Sequence, residues 1–174
     1  MHSQSQAERV AGRSPSQAAS RQYVGFQLDG QRYAFRIELI REIVNPPVIT
    51  RIPEVPAYVE GVCNLRGAII PVVNLRLLFG LPARAVDADT RTIVATVGAR
   101  TIGCTVDAVS HVFRIPDDQI QPPPDTLTAG GSRHIEGLAR VASDICIVLD
   151  AEQLLDPANL DRVHLAIQSI PAPS

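Results

Sequence analysis

The stretch GVCNLRGAIIPVVNLRLLFG, residues 61–80, contains two apolar runs separated by a short polar interruption. The first run ends at Leu65, and the second extends from Ala68 to Val73. Apolar runs of this kind, broken by residues that favour a turn, are typical of two buried strands joined as a hairpin. The stretch therefore predicts a β-hairpin whose tip carries Arg66, a bulky cation.

Strand and turn signals of the same kind occur along most of the chain. Asp29 and Gly30 separate the apolar segments Tyr23–Leu28 and Arg32–Ile37, a strong signal for a hairpin with a two-residue turn. The other apolar segments are Leu39–Val44, TIVATV, TIGCTVDAV, HVFRI and the hairpin HIEGLARVASDICIVLD. Short strands with frequent turns favour small β-barrels over parallel α/β units.

The two ends of the chain differ from its middle. Residues 1–21 are polar and poor in large apolar side chains, which predicts a disordered tail. Residues 157–174, which begin at the proline of Asp156-Pro157, are expected to form a C-terminal helix and tail. The folded part of the protein is therefore expected to span residues 22–156.

The sequence of this folded part repeats itself. Residues 60–78, EGVCNLRGAIIPVVNLRLL, align without a gap with residues 136–154, EGLARVASDICIVLDAEQL. Upstream, IELIREIV from Ile37 resembles VDAVSHVF from Val106. The repeat predicts two related β-barrels packed as a pseudo-symmetric pair.

The repeat also bears on the arginine at the hairpin tip. In the second copy, Ala142 stands where the first copy has Arg66, so this turn does not require an arginine. Gly67 is expected to supply a positive φ at the turn. Arg66 is then either a solvated turn residue or a side chain displayed for a partner, since arginine is enriched among interface hot spots.

Composition and charge limit the classes of function. The chain has 174 residues, 45% of them hydrophobic and 20% charged, with a net charge of -2, as in a soluble globular protein. That charge gives no basis for nucleic-acid binding. No apolar run approaches the roughly 18 residues that a membrane helix needs, and residues 1–21 lack the apolar core of a signal peptide. A cytoplasmic protein without direct membrane insertion is expected.

Little in the sequence indicates catalysis. Cys63, Cys104 and Cys146 are far apart in apolar stretches, which predicts free buried thiols and neither disulfides nor a zinc site. His111 and His134 lie at strand ends outside any catalytic motif, and TAGGSR lacks the lysine and spacing of a phosphate-binding loop. The sequence predicts no enzymatic activity, metal or cofactor, and a small-ligand-binding β-barrel remains an alternative.

The chain resembles the CheW family, the coupling proteins of bacterial chemosensory arrays. The resemblance covers about residues 22–156 and is strongest in ITRIPEVPAYVEGVCNLRGAIIPVVNLRLLFG, with LIREIV before it and GCTVDAVSHVFRI, HIEGLA and VLDAEQLL after it. It implies a mainly β fold of two five-stranded SH3-like β-barrels around a shared core. It also implies a non-catalytic adaptor that couples the cytoplasmic tip of a chemoreceptor to the regulatory domain of the histidine kinase CheA, at arrays on the inner face of the membrane.

The resemblance further implies where the partners bind. The receptor groove is expected between the barrels, with Ile40, Glu42 and Arg66 in contact with the receptor tip. Ile43 and Arg51 are expected near the surface that contacts the kinase. Without the resemblance, core packing explains the two isoleucines equally well, and Glu42 is equally well a solvated charge.

Overall fold

The computed structural model describes residues 19–124 and 134–154, and this part of the protein is mainly β-structure. Its strands are β1 (Ser20–Leu28), β2 (Gln31–Arg36), β3 (Ile40–Val44), β4 (Val59–Leu65), β5 (Ala68–Asn74), β6 (Arg91–Val97), β7 (Arg100–Val106), β8 (Ala108–Pro116), β9 (Ile135–Val141) and β10 (Asp144–Leu149). Single-turn helices α1 (Leu75–Leu78) and α2 (Ala151–Leu154) follow β5 and β10, and 3-10 turns lie at Ile37–Leu39 and Asp117–Gln119.

The ends of the described region bear on the predicted tails. β1 begins at Ser20, so Ser20 and Arg21, which were predicted to belong to the N-terminal tail, are part of a strand. Residues 1–18 of that tail and the predicted helix and tail at 157–174 lie outside the described residues. Within the described ranges, no helix has the length and apolar character needed to span a membrane.

The strands form two five-stranded sheets. The first sheet has the order β8-β1-β2-β10-β9, and the second has the order β3-β6-β7-β5-β4. Adjacent strands are antiparallel except for β2 with β10 and β5 with β7, which are parallel. The predicted mainly β fold of two five-stranded units is confirmed, although neither sheet closes into a barrel.

The two copies of the sequence repeat are interleaved in these sheets. β3 follows β2 in the chain but pairs with β6, and β8 follows β7 but pairs with β1. Each sheet therefore takes two strands from one copy and three from the other. The polar linker PARAVDADTR joins the two copies of the repeat but does not separate the two sheets.

The repeated Glu-Gly pair has a structural cause in both copies. Thr50 forms a bridge to β4 and Gln121 forms the corresponding bridge to β9, so a second segment crosses closely over each strand. A Cβ atom on Gly61 would lie 2.1 Å from the carbonyl oxygen of Thr50, and one on Gly137 would lie 2.7 Å from that of Gln121. Only glycine leaves room for these crossings.

Three apolar clusters stabilise the fold. The largest combines side chains of both sheets and both helices, among them Phe26, Phe35, Leu75, Ile93, Ile102 and Leu149. A second cluster belongs to the first sheet and contains Tyr23, Ala34, Ile115, Ala139, Cys146 and Val148, while a third belongs to the second sheet and contains Cys63, Ile70, Val72 and Val94. The prediction of free buried thiols is confirmed, since all three cysteines are unpaired and buried.

Candidate functional site

Two of the residues assigned to the receptor contact form an ion pair. Nη1 of Arg66 donates a hydrogen bond to Oε2 of Glu42 at 2.6 Å. Arg66 lies in the turn between β4 and β5, whereas Glu42 lies on β3 at the opposite edge of the second sheet. The arginine side chain is 77% exposed and the glutamate side chain 22% exposed. The pair therefore joins an exposed cation to a partly buried carboxylate.

The turn that carries Arg66 is built by its neighbours. Arg66 and Gly67 have φ values of 53° and 86°, as in the hairpin turns in which both central residues are left-handed. Oδ1 of Asn64 accepts a hydrogen bond from the backbone N–H of Gly67 at 3.0 Å. A left-handed conformation costs a non-glycine residue on the order of 1 kcal/mol. The turn makes no use of the guanidinium group, which pairs with Glu42 instead.

The ion pair lies at the rim of a cleft of ≈ 490 Å³. The cleft opens between β3, the β4–β5 hairpin and the β6–β7 hairpin, all of which belong to the second sheet. Its apolar lining consists of Leu65, Ala68, Ile69, Ile70, Pro71, Val94 and Ala99, with Thr101 beside them. Three arginines, Arg41, Arg66 and Arg100, and one carboxylate, Glu42, complete the lining. The cleft thus combines an apolar floor with a basic rim.

The other predicted site residues lie outside this cleft. Ile40 is partly buried against the large central cluster, and a register irregularity in β3 separates it from Glu42. Ile43 pairs with Ile93 across β3 and β6 and is 40% exposed, while Arg51 is exposed in the segment between β3 and β4. The resemblance implied a receptor groove between the barrels, whereas the cleft that contains Glu42 and Arg66 is lined by the second sheet alone.

Comparison with known proteins assigns the fold to a family. The family model of the CheW-like domain matches residues 22–159. This chain belongs to the CheW family.

Individual relatives agree with this assignment. The chemotaxis protein CheW of Klebsiella aerogenes is 31% identical over 88% of this chain and 92% of its own length. The chemotaxis protein CheW of Helicobacter pylori is 37% identical over 77% of this chain and 81% of its own length. The crystal structure of the scaffolding protein TtCheW from Thermoanaerobacter tengcongensis superposes with a TM-score of 0.72 at 33% identity, covering 81% of this chain and 96% of that one.

Sequence reasoning missed one charged cluster of this CheW-family chain. Arg76 in α1 is buried, and its Nη1 donates to Oδ2 of Asp107 at 2.6 Å. Its Nε donates to the carbonyl oxygen of Pro82 at 2.9 Å, and its Nη2 lies 3.5 Å from Oδ1 of Asp29. Asp29 lies in the turn of the first sheet, so this cluster ties that turn to α1 and the end of β7. The sequence did contain a signal for this cluster, because Arg76 interrupts the apolar stretch NLRLLFG and Asp107 interrupts the apolar stretch TVDAV.

Burial governs the protonation of the three cysteines. Burial raises the pKa of Cys63 above its ordinary value, that of Cys104 to about 12 and that of Cys146 to about 11. These thiols stay protonated at neutral pH, and a protonated thiol is a poor nucleophile. Within residues 19–124 and 134–154, no group of three or more His, Cys, Asp or Glu side chains is placed to hold a metal ion.

Proposed function

We propose that this protein is a non-catalytic adaptor that couples chemoreceptors to the histidine kinase CheA in a bacterial chemosensory array. Membership of the CheW family supports a role in chemotaxis, and the structurally similar TtCheW is a scaffolding protein. The observation that carries the proposal is the cleft of the second sheet, where the Arg66–Glu42 pair stands beside an apolar floor. In this role the protein works in the cytoplasm, at arrays on the inner face of the membrane.

The cleft is proposed to receive the cytoplasmic tip of a chemoreceptor, which is a helical coiled coil. Helices commonly bind to partner proteins by laying apolar side chains into a groove flanked by a few polar anchors. Arg66 and Glu42 supply such anchors here, and Ile40, which is partly buried on the same strand as Glu42, is proposed as an apolar contact outside the cleft. Three arginines against one glutamate favour acidic side chains at the receptor tip, because complementary charge raises both the association rate and the specificity.

A separate surface is proposed for the kinase. Ile43 on the edge strand β3 and Arg51 in the following segment are both exposed, and they lie outside the receptor cleft. An exposed isoleucine supplies apolar area and an exposed arginine supplies a directional hydrogen-bond donor, as interface anchors often do. Separate surfaces allow one molecule to hold the receptor tip and the CheA regulatory domain at the same time.

The proposal is tested by Arg66→Ala and by calorimetric titration with a soluble receptor-tip hairpin. If Arg66 is a hot spot, binding weakens by about 2 kcal/mol, which is roughly thirtyfold in Kd. The melting temperature stays nearly unchanged, because exposed ion pairs contribute about 0–1 kcal/mol. Arg66→Glu weakens binding further, since it reverses the charge of the anchor.

Ala142→Gly is the matched control, because Ala142 has a φ of 57° at the equivalent turn of the second copy. This variant is expected to bind the receptor tip as the wild type does. Retained receptor binding by Arg66→Ala, together with a stability loss of more than about 2 kcal/mol, would show that Arg66 is structural and would contradict the proposed site.

The cleft volume also supports an alternative, the small-ligand-binding protein. A cleft of ≈ 490 Å³ lies within the range of about 300–1,000 Å³ that small-molecule sites occupy. The two functions are separated by parallel titrations of the wild type, one with a panel of small organic anions and one with the receptor tip. Saturable binding of an anion without any binding of the tip would favour the alternative.

A further inference from the structure

The cleft of the second sheet has a smaller counterpart in the first sheet. The counterpart, of ≈ 360 Å³, lies between the tips of the β1–β2 and β9–β10 hairpins. These hairpins are the repeat equivalents of β6–β7 and β4–β5, which flank the larger cleft. Each site also has a partly exposed isoleucine at the same repeat position, Ile69 in the second sheet and Ile145 in the first. The protein therefore contains two versions of one surface.

In the first sheet, side chains tie the two hairpins together. Nη2 of Arg32 lies 3.6 Å from Oδ2 of Asp144, and this ion pair reaches from β2 to β10. Nε2 of Gln31 donates a hydrogen bond to the carbonyl oxygen of Ile145 at 2.9 Å, a second connection between the same hairpins. These contacts bridge the hairpin tips and narrow the space between them, and a partner would have to displace them to bind as deeply as in the larger cleft.

In the second sheet, the ion-pair positions carry small side chains. Ala68 stands at the repeat position of Asp144, and Thr101 stands at that of Arg32. Both residues line the cleft. Neither side chain can form an ion pair across the gap, so the gap between the hairpins stays open.

From this comparison we infer that Ala68 and Thr101 determine where the partner binds, because their small, uncharged side chains keep the cleft of the second sheet open. The inference rests on the proposed adaptor function and assigns the receptor tip to one of two equivalent surfaces. Arg66 and Glu42 then anchor a partner whose entry depends on Ala68 and Thr101.

The inference is tested by giving the second sheet the ion pair of the first. In Ala68→Asp/Thr101→Arg, one negative and one positive charge are added, so the net charge of the cleft does not change. Ala68 is exposed and Thr101 is partly exposed. Because substitutions at such positions cost little stability, the melting temperature is expected to stay within about 3 °C of the wild type. Binding of the receptor-tip hairpin, measured by calorimetry, is expected to weaken at least about tenfold, while binding of the CheA regulatory domain stays the same.

Two further variants make the test decisive. Ala68→Gln fills the same space without charge, and it is expected to weaken receptor binding by about fivefold even if the double variant fails to fold. The reciprocal change, Arg32→Thr/Asp144→Ala, opens the counterpart in the first sheet and is expected to leave receptor binding within about twofold of the wild type.

The outcomes separate the inference from the function on which it rests. If the wild type binds the receptor tip and both Ala68→Asp/Thr101→Arg and Ala68→Gln bind it equally well, the inference is overturned but the adaptor function stands. Receptor binding that falls in Arg32→Thr/Asp144→Ala would place the partner on the first sheet and would also overturn it. A wild type that binds no receptor tip would refute the proposed function, and the inference with it.

Discussion

Removing the buried arginine of α1 should destabilise the whole protein. The variant is Arg76→Met, which keeps much of the apolar stem but removes the guanidinium group. Arg76 and Asp107 are 9% and 10% exposed at their side chains, so Asp107 would keep a charge with little access to water. The carbonyl oxygen of Pro82 would lose its donor as well.

The structure sets the expected magnitude. Removing one partner of a buried ion pair costs about 3–5 kcal/mol, because the remaining charge is left uncompensated. Asp107 here keeps a hydrogen bond from the backbone N–H of Asp29 at 2.8 Å and a longer contact of 3.4 Å with Arg84. The lower limit therefore applies, about 3 kcal/mol, which corresponds to a fall in Tm of roughly 6–12 °C for a domain of this size.

Chemical denaturation monitored by circular dichroism measures this loss. Arg84→Ala is the control, since the Arg84 side chain is 52% exposed and its contact is expected to contribute less than about 1 kcal/mol. The double variant Arg76→Met/Asp107→Asn should be more stable than Arg76→Met alone, because the unpaired charge is gone while an acceptor for the Asp29 N–H remains. A loss below about 1 kcal/mol for Arg76→Met, or no recovery in the double variant, would refute the reasoning.

Two further predictions concern acid stability and the glycine crossings. Burial lowers the pKa of His134 below its ordinary 6.5, and its ring stacks on that of Phe79 with the ring centroids 4.8 Å apart. The folded state therefore favours the neutral imidazole. The resulting contribution to stability is complete above pH 6.5 and is lost as the pH falls through the pKa of the folded state. His134→Phe should therefore lose less unfolding free energy than the wild type between about pH 7.5 and about pH 5.5, and an equal loss in both proteins would contradict this. Gly61→Ala should cost more than about 3 kcal/mol in urea denaturation, because its Cβ would lie 2.1 Å from a backbone oxygen. Gly67→Ala, whose Cβ would meet open space at a φ of 86°, should cost only about 1–2 kcal/mol, and similar costs at both sites would show that the crossing is not tight.

Local signals in the sequence were sufficient for the strands and the turns. Asp29 and Gly30, with φ values of 54° and 78°, form the predicted hairpin turn, and the residues on both sides pair in register. The alternation of apolar and turn residues acts over a few positions, so such features can be read directly from the chain. The repeat likewise predicted two related β-units, and the resemblance implied five strands in each.

Long-range pairing was beyond those signals. The pattern of LIREIV predicts a strand at β3 but does not specify its partner, so the pairing of β3 with β6 instead of β2 could not be foreseen. For the same reason, Glu42 and Arg66 were each named as site residues without any indication that they contact each other. By the inference above, the cleft between the hairpins depends on the small side chains of Ala68 and Thr101. Small residues give no distinctive signal in a single sequence.

Because β3 and β8 are exchanged between the sheets, neither half of the chain can complete a sheet by itself. One half of the molecule, from β1 to α1, contains strands of both sheets and completes neither. Two copies of one half would supply the full set of strands, so the present chain has the topology of a strand-swapped homodimer with its two halves joined by the linker. The cleft of the second sheet draws β3, β4 and β5 from one half and β6 and β7 from the other. During synthesis this cleft can therefore form only after β7 has left the ribosome, and a chain that ends at the linker contains only part of its walls.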